Sequence, residues 1–66
     1  MQITVNGKPT DVPDAATAAD LVEQLGLGGK RIAMEVNRDI VPRSQYPQHR
    51  LQPGDHVEIV HAIGGG

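Results

Sequence analysis

The sequence predicts an α+β fold in which one main helix packs across a mixed sheet of four to five strands. Three observations carry that prediction. Apolar residues recur at every second position around residues 3–5, 32–36 and 57–59, the period of a strand with one buried face. One stretch only, Ala18, Leu21, Val22 and Leu25, repeats its apolar residues at helical spacing. Glycines and prolines separate these stretches and stop each before it runs on. A lone amphipathic helix cannot bury its stripe by itself, so a sheet is what it lies against.

The first strand is MQITVN, with Ile3 and Val5 on one face and Gln2, Thr4 and Asn6 on the other. Asn6-Gly7 follows as a hairpin signal, because glycine has no Cβ to clash at positive φ and asparagine tolerates that region. A short return strand over residues 8–12 fits next, and Pro9, which lacks an amide hydrogen, places it at an edge of the sheet. Pro13-Asp14 interrupts the strand, and TAADLVEQLG reads as the helix. Thr17 is its N-cap, Asp20 closes a capping box three residues on, and Ala16 and Leu21 occupy the staple positions. Gly26 ends the helix, and the pair Gly28-Gly29 makes its continuation unfavourable.

Residues 31–37 form the next strand, with Ile32, Met34 and Val36 facing the core. A short strand at Ile40-Val41 stops at Pro42. The polar stretch through Arg50 reads as irregular chain or a single helical turn, pinned by the ring of Tyr46. Residues 51–55 read as a turn, and residues 56–63 as the last strand. Val57 and Ile59 share one side of that strand with His61 and Ile63, while Val60 and Ala62 face the other way. Apolar residues on both sides suit an interior strand with one face against the helix and the other only partly wet, and central pairing of the first and last strands would send the C-terminal glycines out of the body.

Composition limits what such a fold can do. A chain of 66 residues buries only about 60% of the surface its unfolded form exposes. Its stability is expected at roughly 3–5 kcal/mol. There is no cysteine, hence no disulfide, no thiolate nucleophile and no side chain able to hold a persulfide. Eight acids and six bases are scattered without a basic block, which gives nucleic acid no footprint. No apolar run approaches the roughly 20 residues that span a bilayer, and no leader-like start is visible. A soluble cytoplasmic protein is the expectation.

Candidate chemistry in the side chains is sparse. The glycines at 26–29 follow a helix instead of opening one and lack the lysine-serine or lysine-threonine ending of a phosphate loop. His49, His56 and His61 stand seven and five positions apart, not the helical i, i+4 pair of a hydrolytic zinc site, and no metal is expected. Ser44 has no nucleophile elbow or ordered base around it. An enzyme with its own catalytic residues is not indicated.

The ending EIVHAIGGG is different. Glycines at 64, 65 and 66 bring no side-chain burial and lose much freedom when ordered, so they serve packing poorly and threading well. Three extended residues reach about 10 Å, enough to pass a carboxylate into a narrow active site. That carboxylate becomes electrophilic once adenylated by ATP, and could then take sulfur or form an ester or amide. A frayed tail that never reacts is the alternative.

The opening ITVNG, the stretches ATAADLVEQLG and IAMEVNRDIVPRSQY, and the ending LQPGDHVEIVHAIGGG resemble the family of bacterial sulfur-carrier proteins of thiamin thiazole biosynthesis, the ThiS family. The resemblance covers nearly the whole chain. It implies a ubiquitin-like β-grasp domain over residues 1–63 and a flexible glycine tail over residues 64–66. It further implies that an E1-like adenylating enzyme uses ATP and Mg to activate Gly66. Sulfur from a cysteine-derived persulfide then gives a Gly66 thiocarboxylate, which serves a thiazole synthase. Gly64 and Gly65 thread the tail, and Ile63, His61 and the exposed side of the last strand are candidates for partner docking. No cofactor is bound intrinsically, and neither nucleic acid nor membrane is a partner. The alternatives are the sulfur-donating subunit of molybdopterin synthesis, a conjugated modifier, and a binding domain whose tail never reacts.

Overall fold

The computed structural model describes residues 1–61. Five strands form one mixed sheet: β1 (Gln2–Val5), β2 (Lys8–Asp11), β3 (Ile32–Val36), β4 (Asp39–Val41) and β5 (His56–His61), in the order β2-β1-β5-β3-β4. The first and last strands pair in parallel at the centre, and the remaining pairs are antiparallel. β2, with Pro9 in it, is an edge strand, where a missing amide hydrogen spares the ladder. The one α-helix among the described residues, α1 (Ala18–Gln24), lies over the face that carries Ile3, Met34 and Val57.

Two hairpins close with two-residue loops, Asn6-Gly7 between Val5 and Lys8 and Asn37-Arg38 between Val36 and Asp39. All four loop residues have positive φ, the backbone that matches the right-handed twist of the flanking strands. Glycine fills the second position in the first hairpin. In the other, Arg38 holds φ 73° against the Cβ clash that a left-handed residue suffers.

The helix begins as its sequence dictates. Thr17 accepts a hydrogen bond from Asp20 N at 3.2 Å, and Asp20 Oδ2 accepts from Thr17 N at 2.9 Å. The two preceding orphan donors are met from elsewhere: Ala18 N donates to His49 O at 2.9 Å and Ala19 N to Tyr46 O at 3.1 Å. The loop after β4, which contains a 3-10 turn at Arg43–Gln45 and the buried Tyr46, is therefore stitched onto the helix start. At the other end Gly26 N donates to Glu23 O and Leu27 N to Val22 O, the paired bonds of a Schellman stop with Gly26 at φ 70°.

Four expectations change. Leu25 leaves the apolar stripe: it is the C-cap residue and is 37% exposed. Leu51, read as turn, is a core residue at 2% exposure, drawn in because Leu51 N donates to Ala16 O at 2.9 Å. The outer side of β5 is not covered, since Val60 is 59% exposed. The return strand also stops one residue earlier than expected, at Asp11, with Val12 buried beyond it.

Candidate functional site

β5 delivers the chain to its C-terminal segment, so the site is built around that strand's far end. On the helix side Val57 and Ile59 are buried. His61 occupies the same face by register, opposite Ile32, yet is exposed. Ala62, Ile63, Gly64, Gly65 and Gly66 lie outside the described residues, so of the individual tail and docking residues named from sequence the structure places His61 alone.

The outer side of the same strand, a docking candidate from sequence, meets neighbours that only the strand pairing reveals. Val60 stands opposite Ala33 and Glu58 opposite Glu35, while Glu35 also faces Ile40 across β3 and β4. Ile40 is 75% exposed, and Ala33 and Glu58 are exposed as well. An uncovered apolar patch therefore sits beside two carboxylates directly opposite one another. Like charges in that arrangement destabilise a sheet, and among the described residues no salt bridge reaches either of them. Alternation along each strand is legible in the sequence, but the pairing that brings Glu35 to Glu58 depends on strand order.

Between β1 and β5 the register is short. Cα pairing covers Thr4 with His56 and Val5 with Val57, after which β1 turns away. The Asn6 side chain takes over: Ile59 N donates to Asn6 Oδ1 at 2.8 Å, and Asn6 Nδ2 donates to Ile59 O at 3.1 Å. From sequence Asn6 is a turn residue only. A contact with a residue 53 positions on has no local signature.

An open groove lies at the opposite end of β5, lined by Thr4, Asn37, Arg38, His56 and Glu58. His56 Nδ1 lies 2.8 Å from Thr4 Oγ1 there. Three further bonds brace that end of the strand. His56 N donates to Asn37 Oδ1 at 3.0 Å, and the buried Asp55 accepts from Asn37 Nδ2 at 3.0 Å and from Gln52 N at 2.8 Å. Among the described residues no three His, Cys, Asp or Glu side chains are grouped to hold a metal ion. His49, His56 and His61 are not brought together. No described helix is long and apolar enough to cross a membrane.

Three comparisons bear on what this arrangement serves. The model of a family described as the ThiS family matches residues 3–66. The "Sulfur carrier protein ThiS" of Escherichia coli is 36% identical over 66 residues, covering all of both chains. A "Thiazole synthase" of Paramagnetospirillum magneticum is 38% identical over 66 residues, but the chain spans only 20% of that protein's length. Among solved structures, the crystal structure of the thiamine biosynthesis protein (ThiS) from Geobacter metallireducens superposes with a TM-score of 0.86 at 29% identity, covering the whole of both chains.

Proposed function

This chain belongs to the ThiS family, and from that premise we propose that it carries sulfur for the thiazole moiety of thiamin on the carboxylate of Gly66. The observation that carries this reading is the end-to-end match to a protein named as a sulfur carrier. The absence of cysteine supports it: with no thiol in the chain, sulfur has to ride on the backbone terminus. Residues 1–63 form the carrier body, and residues 64–66 are the tail that reaches into other active sites.

The cycle begins when an E1-like adenylating enzyme binds ATP and Mg. A Gly66 carboxylate oxygen attacks the α-phosphorus, pyrophosphate leaves, and the carboxylate becomes an acyl adenylate. The terminal sulfur of a cysteine-derived persulfide on a partner attacks the acyl carbon and AMP departs. A second thiol cleaves the resulting acyl disulfide, releasing the Gly66 thiocarboxylate and leaving a disulfide behind. The thiocarboxylate then gives its sulfur to a thiazole synthase. That this chain aligns within single polypeptides named thiazole synthase supports such proximity between carrier and synthase.

Glycines at 64 and 65 keep the tail narrow, since any Cβ would widen the channel that has to admit it. Docking is assigned to the outer face of β5, where Val60, Ala33 and Ile40 supply apolar contact. Glu35 and Glu58 there await lysine or arginine from the partner. His61, exposed on the other side of β5, and Ile63 are the docking candidates nearest the tail. The setting is a cytoplasmic protein that moves between enzymes.

Incubation with the adenylating enzyme, ATP and a sulfur donor should exchange one oxygen for sulfur, read by intact-protein mass spectrometry and localised to Gly66. Deleting Gly65 and Gly66 should abolish the product while leaving the unfolding midpoint unchanged. If active partners never yield the thiocarboxylate, the chain is not a carrier.

A further inference from the structure

We propose that Asn6 is a positioning residue for the tail, its carboxamide serving as the last rung that holds β5 on the β1 side. The inference rests on the carrier reading and adds a residue to it. The backbone bonds between the two strands show where this rung falls. Thr4 N donates to Asp55 O at 3.0 Å and Asn6 N to Val57 O at 2.8 Å, so alternate residues of β5 present their polar backbone groups to β1. Ile59 is next in that alternation, but β1 has already entered its turn, with Asn6 at φ 51° and Gly7 at φ 82°. The Asn6 carboxamide supplies what a further peptide would: Oδ1 accepts from Ile59 N and Nδ2 donates to Ile59 O.

Beyond this rung the geometry changes. Strand alternation turns the N–H and C=O of His61 toward the same side, where β1 no longer runs. The strand's last described residues are paired with β3 alone, through Ala33 with Val60 and Ile32 with His61. Asn6 thus sets the point at which β5 passes from two-sided to one-sided support, seven residues before Gly66. Loosening it frees the launch point of the tail, and a tail that samples more directions presents its carboxylate correctly in fewer encounters. Asparagine meets both demands of the site, since it tolerates positive φ in the turn and carries one acceptor and one donor on a short side chain. Glycine would meet the first alone. Aspartate would accept from Ile59 N while setting a second carboxylate oxygen against Ile59 O.

Asn6→Gly and Asn6→Asp separate turn from rung. Each is compared with the unaltered chain by amide exchange and by ATP–pyrophosphate exchange with the cognate adenylating enzyme, the carrier being the varied substrate. In Asn6→Gly the Ile59 amide should exchange about fivefold faster relative to Val57, whereas Asn6→Asp, which keeps the acceptor for that amide and loses the donor to Ile59 O, should leave the ratio close to that of the unaltered chain. KM for the carrier should rise about fivefold with kcat unchanged, because the altered step is docking of the tail and not the chemistry. A folded Asn6→Gly chain with unaltered KM overturns the proposal. So does loss of folding in both variants, which would make the carboxamide a support of the whole domain. An unaltered chain that gains no sulfur sinks the carrier reading instead, while the Ile59-to-Val57 exchange ratio still decides whether the rung exists.

Discussion

Asp55 lies in the turn before β5 and is nevertheless only 8% exposed, because both of its oxygens are occupied. One accepts from Asn37 Nδ2 and the other from Gln52 N. The carboxylate thereby ties the β3–β4 hairpin to the start of the central strand. Replacing it by alanine leaves the partly buried bonds from Gln52 N and Asn37 Nδ2 without their acceptor, a loss of about 1–2 kcal/mol from a total of roughly 3–5 kcal/mol. Asp55→Ala should therefore lower the urea midpoint sharply at unchanged m, and Asp55→Asn, which keeps one acceptor, should lose about half as much. Equal midpoints for all three proteins would show that the turn holds without the carboxylate. Nothing local distinguishes this aspartate from the exposed ones in the sequence. Its burial follows from Asn37, which arrives beside it only once the hairpin has folded back.

At the scale of elements, α1 spans only seven residues, fewer than an isolated helix needs to persist in water. It depends on its caps and on the burial of Ala18, Leu21 and Val22. The capping box and the Gly26 stop were legible because both are written in residues within a few positions of the helix ends. Leu25 was not, since whether a residue at helical spacing is covered depends on where the sheet ends beneath it. The loop that caps the first turn with His49 and Tyr46 carbonyls was equally hidden, because carbonyl groups belong to every residue and carry no sequence signal. Thr17→Ala removes the side-chain acceptor for Asp20 N and should cost about 1 kcal/mol. The loss should appear as a lower thermal midpoint, with faster exchange at the Asp20 amide than at Val57 in the central strand. If the two amides accelerate alike, opening is global and the cap has no local role.

For the molecule as a whole, period-two patterning exposed the strands and their inward residues, and Pro9 marked an edge. Strand order, by contrast, rests on pairings between distant segments, and so does the meeting of Glu35 with Glu58 on an uncovered face. That meeting sets stability and association against each other. In the free protein the two carboxylates repel, so the double variant Glu35→Gln/Glu58→Gln should be more stable by about 0.5 kcal/mol, read from its thermal midpoint. On the docking proposed above, encounter with a basic partner face would in contrast draw on that same negative charge. The double variant should associate with the adenylating enzyme up to about tenfold more slowly at low salt. The difference should shrink as salt screens the unaltered pair, while Val60 and Ile40 go on supplying apolar contact in both proteins. Opposite signs in the two measurements are what a surface kept for docking requires. A variant that gains stability without any loss of association rate would leave Glu35 and Glu58 as ordinary surface charge, and would move the docking site off this face.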